Sequence, residues 1–301
     1  MKTIEELKCI FQSYSWSKMN VHVHTSLCDG KPEMTVENIA QKAKEVGVEL
    51  IVLTPHFHKQ MKDEEMTLYE DSDMNIFVKL RQQIDEYEKK DGQVKFLLSS
   101  EVDIINEEGT LSLEPCELIE NTLDFILPTL NFHPVLPLRA VDVTNPEGRE
   151  RIHGSGEYAR MVEKVGGMEK IVKALYTTQA NGIKNSPYPS MLGHFFCAHS
   201  RGGKYSWFEI SEEYLPMMKE GAEKVLEACA STGSMIDITG IRINGTDIDA
   251  KRKELGFLYD FQMWFLKRCD ELGIVTCPGG DAHDLSRISG TWFYEELLSD
   301  N

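Results

Sequence analysis

The sequence predicts an α/β protein folded as a distorted, TIM-like (βα)7 barrel, with a metal site at the C-terminal mouth of the barrel. Three observations predict this fold. Seven short apolar runs alternate with longer amphipathic helical patterns. Glycines stand at or near the junctions from helix to strand, where helices commonly end. The 301 residues suffice for about seven βα units in one chain. We therefore assign residues 1–301 to a single domain, with residues 1–18 as an N-terminal extension that packs on the barrel.

The predicted strands are short, apolar and often followed by polar residues. In chain order they are Asn20–His24, Glu49–Leu53, Val94–Ser100, Phe125–Leu130, Ser190–Phe195, Ser234–Ile238 and Gly273–Cys277. The predicted helices carry apolar residues at helical spacing and span Thr35–Val46, Asp73–Lys90, roughly Glu157–Ala180, Glu212–Ser231 and Ala250–Leu272. The junction glycines are Gly47, Gly92, Gly182, Gly233 and Gly273. Because such βα units form parallel sheets, the carboxyl ends of all the strands are expected on one face.

The segment Pro134–Gly156 interrupts this alternation with several prolines and glycines. We interpret it as a long excursion after the fourth strand. Long loops of barrels often shape the substrate pocket, and a plain surface insertion is the alternative.

Charge and cysteine content restrict the classes of partner. The net charge is −17, from 32 basic and 49 acidic residues, which disfavours nucleic acid and anionic membranes as partners. The seven cysteines are an odd number without a Cys-x-x-Cys pair, which favours reduced thiols in a cytoplasmic protein. The N-terminus has no apolar signal-peptide core, and no apolar run is long enough to cross a bilayer. We expect a cytoplasmic protein and leave its oligomeric state open.

The most informative motif is His22-Val23-His24, followed by Asp29-Gly30. Alternate residues of a strand face the same side, so both imidazoles can reach one metal ion. A lone His-x-His pair also occurs on strand surfaces, but the other predicted strand ends repeat the pattern. They supply further metal-competent side chains, namely His56, Glu101, Asp103, His133, His194, Asp281 and His283. Their convergence on one face predicts a metal centre.

These candidate ligands are too many for one tetrahedral site. They suffice for two or three divalent ions that share a bridging carboxylate, with Glu101 as the best candidate and Asp281 the next. Imidazole and carboxylate donors accept zinc, manganese or iron. Clustered ions suit phosphoryl chemistry, because they activate water and stabilise charge on the attacking and leaving oxygens.

At this point the sequence resembles the PHP (polymerase and histidinol phosphatase) family, from about His22 to Gly290. The motifs appear in the family's order: His22-Val23-His24-Thr25 with Asp29-Gly30, Thr54-Pro55-His56, Glu101 with His133, and Gly280-Asp281-Ala282-His283. His194 matches a further family ligand, and Asp237-Ile238-Thr239-Gly240-Ile241-Arg242 resembles the family's Asn-x-Ser-Gly-Leu-Arg stretch. The length, without an appended domain, resembles the monofunctional histidinol-phosphatase branch.

The resemblance implies a trinuclear centre. The first ion would be held by His22, His24, Glu101 and Asp281, the second by Glu101, His133 and His194, and the third by Asp29, His56 and His283. A metal-bridging hydroxide would attack the phosphorus of a small phosphorylated substrate. The leading substrate is L-histidinol phosphate, which would give L-histidinol and phosphate in histidine biosynthesis. We assign catalytic roles to Asp281, His283 and His199, and substrate contacts to Arg242, Arg201 and His199.

The sequence departs from the family at three positions. Pro55 replaces an acidic residue, His199 stands where a basic residue is usual, and Asp237 stands where a neutral or longer side chain is common. These changes affect the expected substrate more than the expected chemistry. The role of His58 stays open, and Cys28 and Cys197 are interpreted as packing residues beside the ligands.

Three alternative functions remain at this stage. The protein could be a PHP-type phosphoesterase acting on another small phosphate ester or a nucleotide. It could be a metal amidohydrolase, because those enzymes also open with His-x-His on a barrel and close with an aspartate. It could also be a PHP-like module that binds metal without catalysis, although such a module is expected to have lost ligands. Release of phosphate or of amine from substrate panels separates the two enzyme classes.

Overall fold

The computed structural model describes residues 1–57, 59–62, 65–68, 73–131, 157–196, 211–239, 248–290 and 292. The α-helices are α1 Ile4–Gln12, α2 Val36–Val46, α3 Asn75–Lys90, α4 Glu117–Thr122, α5 Glu157–Val165, α6 Met168–Lys184, α7 Leu215–Thr232, α8 Ile248–Leu255 and α9 Phe257–Glu271. The strands are β1 Met19–Val23, β2 Leu50–Leu53, β3 His56–Phe57, β4 Lys59–Lys62, β5 Glu65–Leu68, β6 Lys95–Leu98, β7 Glu101–Asp103, β8 Leu127–Thr129, β9 Met191–Leu192, β10 Met235–Thr239 and β11 Thr276–Gly279. Short 3₁₀ turns cover Trp16–Lys18, Glu212–Tyr214 and Leu285–Arg287.

The strands that carry the site are parallel. They form three hydrogen-bonded groups, in the orders β1-β2-β6, β3-β7-β8 and β9-β10-β11. The strands β3 and β7 continue β2 and β6 after breaks of two residues. A bridge from Ile126 to Ser190 links the start of β8 to β9, and a bridge from Val23 to Ala282 returns from the end of β11 to β1. The helices and strands alternate as expected for an α/β fold.

One irregularity lies in β1 itself. Its register against β2 shifts between Asn20 and Val23, which is a β-bulge. A bulge interrupts the alternation of side chains and re-aims those that follow. Val21 therefore packs among apolar strand residues, while its neighbour His22 also points inward and reaches Glu101. His22 and His24 both lie on the site side, in agreement with the prediction from their spacing.

Two apolar clusters hold the fold together. The smaller one joins Leu7 and Phe11 of α1 to inward-facing strand residues, among them Met19, Leu50 and Met235 at or near the amino ends of their strands. The helix α1 therefore covers the amino ends of the strands, opposite to the candidate ligands. The larger cluster lies between the strands and the surrounding helices. Burial of these side chains supplies the main favourable free energy of folding.

All seven predicted strands are present, but two predicted helices are each divided. The helix expected over Glu157–Ala180 ends at Val165 and restarts at Met168, because Gly166 and Gly167 have φ of 99° and 98°. The helix expected over Ala250–Leu272 is divided at Gly256, which has φ of 55°. These left-handed values end a right-handed helix.

Three smaller differences concern element ends. Gly182 lies inside α6, whereas Gly47, Gly92, Gly233 and Gly273 have positive φ as expected for helix ends. The last strand begins at Thr276, because the residues before it complete the end of α9 through a hydrogen bond from the Ile274 N–H to the Cys269 carbonyl. Helix α1 and helix α4 form in segments for which no element was predicted. No helix among the described residues is both long and apolar enough to cross a membrane.

Candidate metal centre

The structure brings together most of the candidate metal ligands that it describes, namely His22, His24, Asp29, His56, Glu101, His194, Asp281 and His283. Asp103, at the end of β7, is buried but belongs to none of the groups of ligand atoms that the described residues form. His24 follows β1 directly, His56 and Glu101 begin the continuation strands β3 and β7, and His194 follows β9. Asp281 and His283 follow β11. Outside the described residues lie His133, His199, Arg201, Arg242, His58 and Cys197. The described candidates thus lie at the carboxyl ends of the parallel strands, on the face that holds the active site in barrel enzymes.

Glu101 occupies the centre of the cluster. Its Oε2 lies 3.1 Å from His22 Nε2, 3.1 Å from His56 Nε2 and 3.5 Å from His24 Nε2. Its Oε1 lies 3.4 Å from His194 Nε2. The side chain is only 1% exposed. Burial alone would raise the pKa of this carboxyl, but His194, His56 and His22 together hold the pKa well below its ordinary value.

Asp29 holds a second set of imidazoles at the more exposed side of the cluster. One oxygen lies 3.2 Å from His24 Nδ1, and the other lies 2.8 Å from His283 Nε2 and 3.6 Å from His56 Nδ1. Burial opposes ionisation here, but the close His24 and His283 imidazoles outweigh it and lower the pKa of Asp29 strongly. Asp29 is therefore an ionised carboxylate at neutral pH.

Asp281 completes the set of carboxylates. Its Oδ1 lies 3.4 Å from His24 Nε2, 3.5 Å from His283 Nδ1 and 3.9 Å from His22 Nε2. Asp281 and His194 are the non-glycine residues with positive φ among the described residues, at 45° and 57°. Such a conformation costs about 1–3 kcal/mol and is concentrated at functional sites. The backbone is thus strained at two candidate ligands.

Three other residues contact the cluster without having been predicted to do so. Asp237 Oδ2 lies 2.8 Å from His22 Nδ1. Asn131 donates a hydrogen bond of 2.7 Å from Nδ2 to Glu101 Oε1. Cys28, interpreted from the sequence as a packing residue, accepts a hydrogen bond of 3.3 Å at Sγ from the His56 N–H. Burial raises the pKa of the Cys28 thiol. The resemblance of the Asp237 stretch to a family motif was a sequence signal, but its partner could not be predicted.

The arrangement fits divalent metal ions. Four groups of ligand atoms each lie within 4.8 Å of one another, and they are His24-Cys28-Asp29-His56, His22-His194-Asp281, His22-His24-Glu101 and His24-Asp281-His283. Both ring nitrogens of His24 are buried, with carboxylate oxygens nearby but without a partner in hydrogen-bonding geometry. Coordination of a metal ion would satisfy a ring nitrogen in this state. Nitrogen and oxygen donors in this ratio are those that zinc, manganese and iron accept.

The neighbouring carboxylates raise the pKa values of His22 and His24. Burial alone would lower the pKa of His22, but Glu101 and Asp237 outweigh it and raise that pKa above its ordinary value. Burial likewise opposes protonation of His24, and Asp281 and Asp29 raise its pKa well above the ordinary value. In the metal-free protein the carboxylates therefore favour protonation of both rings, and a metal ion competes with protons for their nitrogens.

The fold and the donor set define a parallel α/β protein with a buried cluster of imidazoles and carboxylates able to hold metal. No protein-family model matches the sequence, and a search of curated proteins finds no match. Two solved structures share the fold. One is a proposed histidinol phosphatase from Listeria monocytogenes, with a TM-score of 0.60, 16% identity, and coverage of 90% of this chain and 97% of that one.

The other is a histidinol phosphate phosphatase from Lactococcus lactis subsp. lactis, determined with zinc, L-histidinol and phosphate. Its TM-score is 0.57 at 16% identity, and the alignment covers 90% of this chain and 88% of that one. The resemblance to histidinol phosphatases that the sequence indicated is therefore confirmed at the level of the fold.

Proposed function

We propose that the protein is a phosphoric monoester hydrolase that uses two or three divalent metal ions, with L-histidinol phosphate as its substrate. The observation that carries the proposal is the convergence of the described candidate ligands around the buried Glu101 carboxylate. We further propose that the parallel strands form one closed, distorted (βα)7 barrel in a single domain. The Val23–Ala282 bridge supports closure.

The proposed ligand sets are those that the sequence motifs indicate, and the distances among the described members support them. His22, His24, Glu101 and Asp281 would hold one ion, and Asp29, His56 and His283 another. Glu101 and His194, with His133, would hold a third. Bound divalent ions supply a water molecule of low pKa and neutralise charge on the transferring phosphoryl group.

The side chains of the protein have distinct parts in the proposed reaction. Glu101 and Asp29 fix the orientation of the imidazoles, since each carboxylate contacts three or four rings. The His283 side chain is 30% exposed, whereas His22 and His24 are fully buried. We assign to His283 the open side of the site, where the substrate enters, as a ligand of the ion nearest to the substrate. Asp281, in contact with His283, orients that ring.

The choice of substrate has its own support. The Lactococcus lactis protein that shares the fold was determined with L-histidinol and phosphate, together with zinc. Arg242, Arg201 and His199 are proposed to contact the phosphate and the imidazole end of the substrate, as the sequence motifs indicate. Another small phosphate ester is the runner-up and would use the same ligands.

The test is phosphate release from a panel of small phosphomonoesters, with metal content measured on the same sample. L-Histidinol phosphate should be hydrolysed fastest, a chelator should abolish turnover, and added zinc or manganese should restore it. D281N should remove activity while leaving the fold intact. D91N is the matched control, because Asp91 pairs with Lys44 on the surface, away from the ligands. Full turnover by metal-stripped protein, or amine release from amides without phosphate release, would overturn the proposal.

A further inference from the structure

His22, Asp237 and Thr239 form a buried chain of hydrogen bonds on the side of His22 that faces away from the other candidate ligands. Asp237 Oδ2 accepts a hydrogen bond of 2.8 Å from His22 Nδ1. The same oxygen accepts a hydrogen bond from the Thr239 hydroxyl. Both His22 and Asp237 are fully buried. The other ring nitrogen of His22, Nε2, faces Glu101 at 3.1 Å and Asp281 at 3.9 Å.

The strand order explains how this contact forms across a neighbouring strand. Asp237 lies on β10, His22 lies on β1, and β11 lies between them, paired with β10 and linked to β1 through the Val23–Ala282 bridge. The carboxylate crosses β11 at Gly279, where a Cβ atom would lie 2.0 Å from Asp237 Oδ1. A side chain at this position would therefore displace the carboxylate. The glycine leaves the space that the contact with His22 requires.

The contact determines which ring nitrogen of His22 is available to a metal ion. Nε2 faces the other candidate ligands Glu101 and Asp281, so a metal ion would bind there, and the neutral ring would then keep its proton on Nδ1, where the Asp237 carboxylate can only accept a hydrogen bond. In metal proteins, such partners fix the tautomer and the orientation of the ring and make the ligating nitrogen more basic. Asp237 Oδ1 has no hydrogen-bond partner within the described part of the chain, so the carboxylate is directed to His22 and Thr239 alone.

We infer that Asp237 is a positioning residue of the metal centre, which holds His22 with Nε2 toward the ions and strengthens their binding. The inference rests on the metal-binding part of the proposed function, but not on the identity of the substrate. It also gives a role to the position at which this sequence departs from the family's usual neutral or longer residue. A neutral amide there can accept the same hydrogen bond but lacks the negative charge.

The test compares zinc binding by the unchanged 301-residue chain and by the variants D237A and D237N. The expected loss of affinity is about 10–100-fold for D237A, with D237N between D237A and the unchanged protein. Affinity is measured by competition with a chelator. D124N is the matched control, since Asp124, in the segment between α4 and β8, is also a buried carboxylate but pairs with Arg81. D124N should bind zinc as tightly as the unchanged protein.

A spectroscopic readout separates positioning from a merely structural role. In the zinc-loaded protein labelled at histidine, the Nδ1 proton of His22 should give a downfield, slowly exchanging resonance. That resonance should persist in D237N and disappear in D237A. If D237A fails to fold, D237N still tests the inference through its reduced affinity and retained resonance. Unchanged zinc affinity in both variants, or binding of zinc through Nδ1 of His22, would overturn it. Zinc binding without phosphate release would refute the proposed activity alone.

Discussion

Replacing Glu101 with glutamine should disable the metal centre while preserving its shape. The substitution removes one negative charge that lies within 3.1–3.5 Å of ring nitrogens of His22, His24, His56 and His194. Unit charges about 4 Å apart interact by about 4 kcal/mol at an effective dielectric constant of about 20. Because about 1.4 kcal/mol is a factor of ten, zinc affinity should fall about a thousandfold.

The assay is a zinc titration against a competing chelator, with the number of ions per chain measured by elemental analysis. In the metal-free protein, the same substitution should lower the pKa of His22, because Glu101 is a principal group that raises it. E223Q is the matched control, since Glu223 pairs with Arg268 on the helical surface. If E101Q holds as many ions as the unchanged protein, with affinity within about threefold, the assignment of Glu101 as the shared ligand is refuted.

Three further predictions concern the pH dependence of zinc binding, the packing of helix α1 and the space around Gly280. Since the pKa values of His22 and His24 are raised in the metal-free protein, zinc competes with protons for their nitrogens, and its affinity should fall up to about 100-fold per pH unit below those values. Chelator competition across pH measures this, and a flat profile contradicts it. F11A should destabilise the protein by about 3–5 kcal/mol in urea unfolding, because Phe11 is 1% exposed under the strands. G280A should weaken zinc binding, since its Cβ would lie 2.6 Å from Asn20 Nδ2; unchanged binding would show that the strand end tolerates the shift.

The local pattern of the sequence was sufficient to predict most of the elements. Apolar runs predicted seven of the parallel strands, because a strand buried on both faces is mostly apolar, whereas the short continuation strands β3 and β7 were not predicted. Most junction glycines also have the expected left-handed conformation. The two divided helices were missed, since their periodicity continues across Gly166-Gly167 and Gly256 while the backbone conformation of the glycines interrupts the helix.

The candidate ligands were predicted because their chemistry and their position at strand ends are both visible in the sequence. Their contacts with Asp237, Asn131 and Cys28 were not, because nothing in the local sequence of those residues shows which strand lies beside them. His22 and Asp237 are 215 residues apart in the chain, and they meet because β11 lies between β1 and β10 and has Gly279 at the crossing point. Contacts of this kind depend on strand order and on free volume, which are properties of the packed chain.

The sequence by itself determined the alternation of strands and helices and the kinds of donor at the strand ends, because both follow from residue type and spacing. Only the tertiary structure decided how the donors are shared. The bulge in β1 turns His22 inward beside Val21, and the buried position of Glu101 makes it the common partner of several imidazoles. In a low-dielectric interior, ionised carboxylates and imidazoles have to satisfy one another. The positions of neighbouring strands therefore fixed which groups pair.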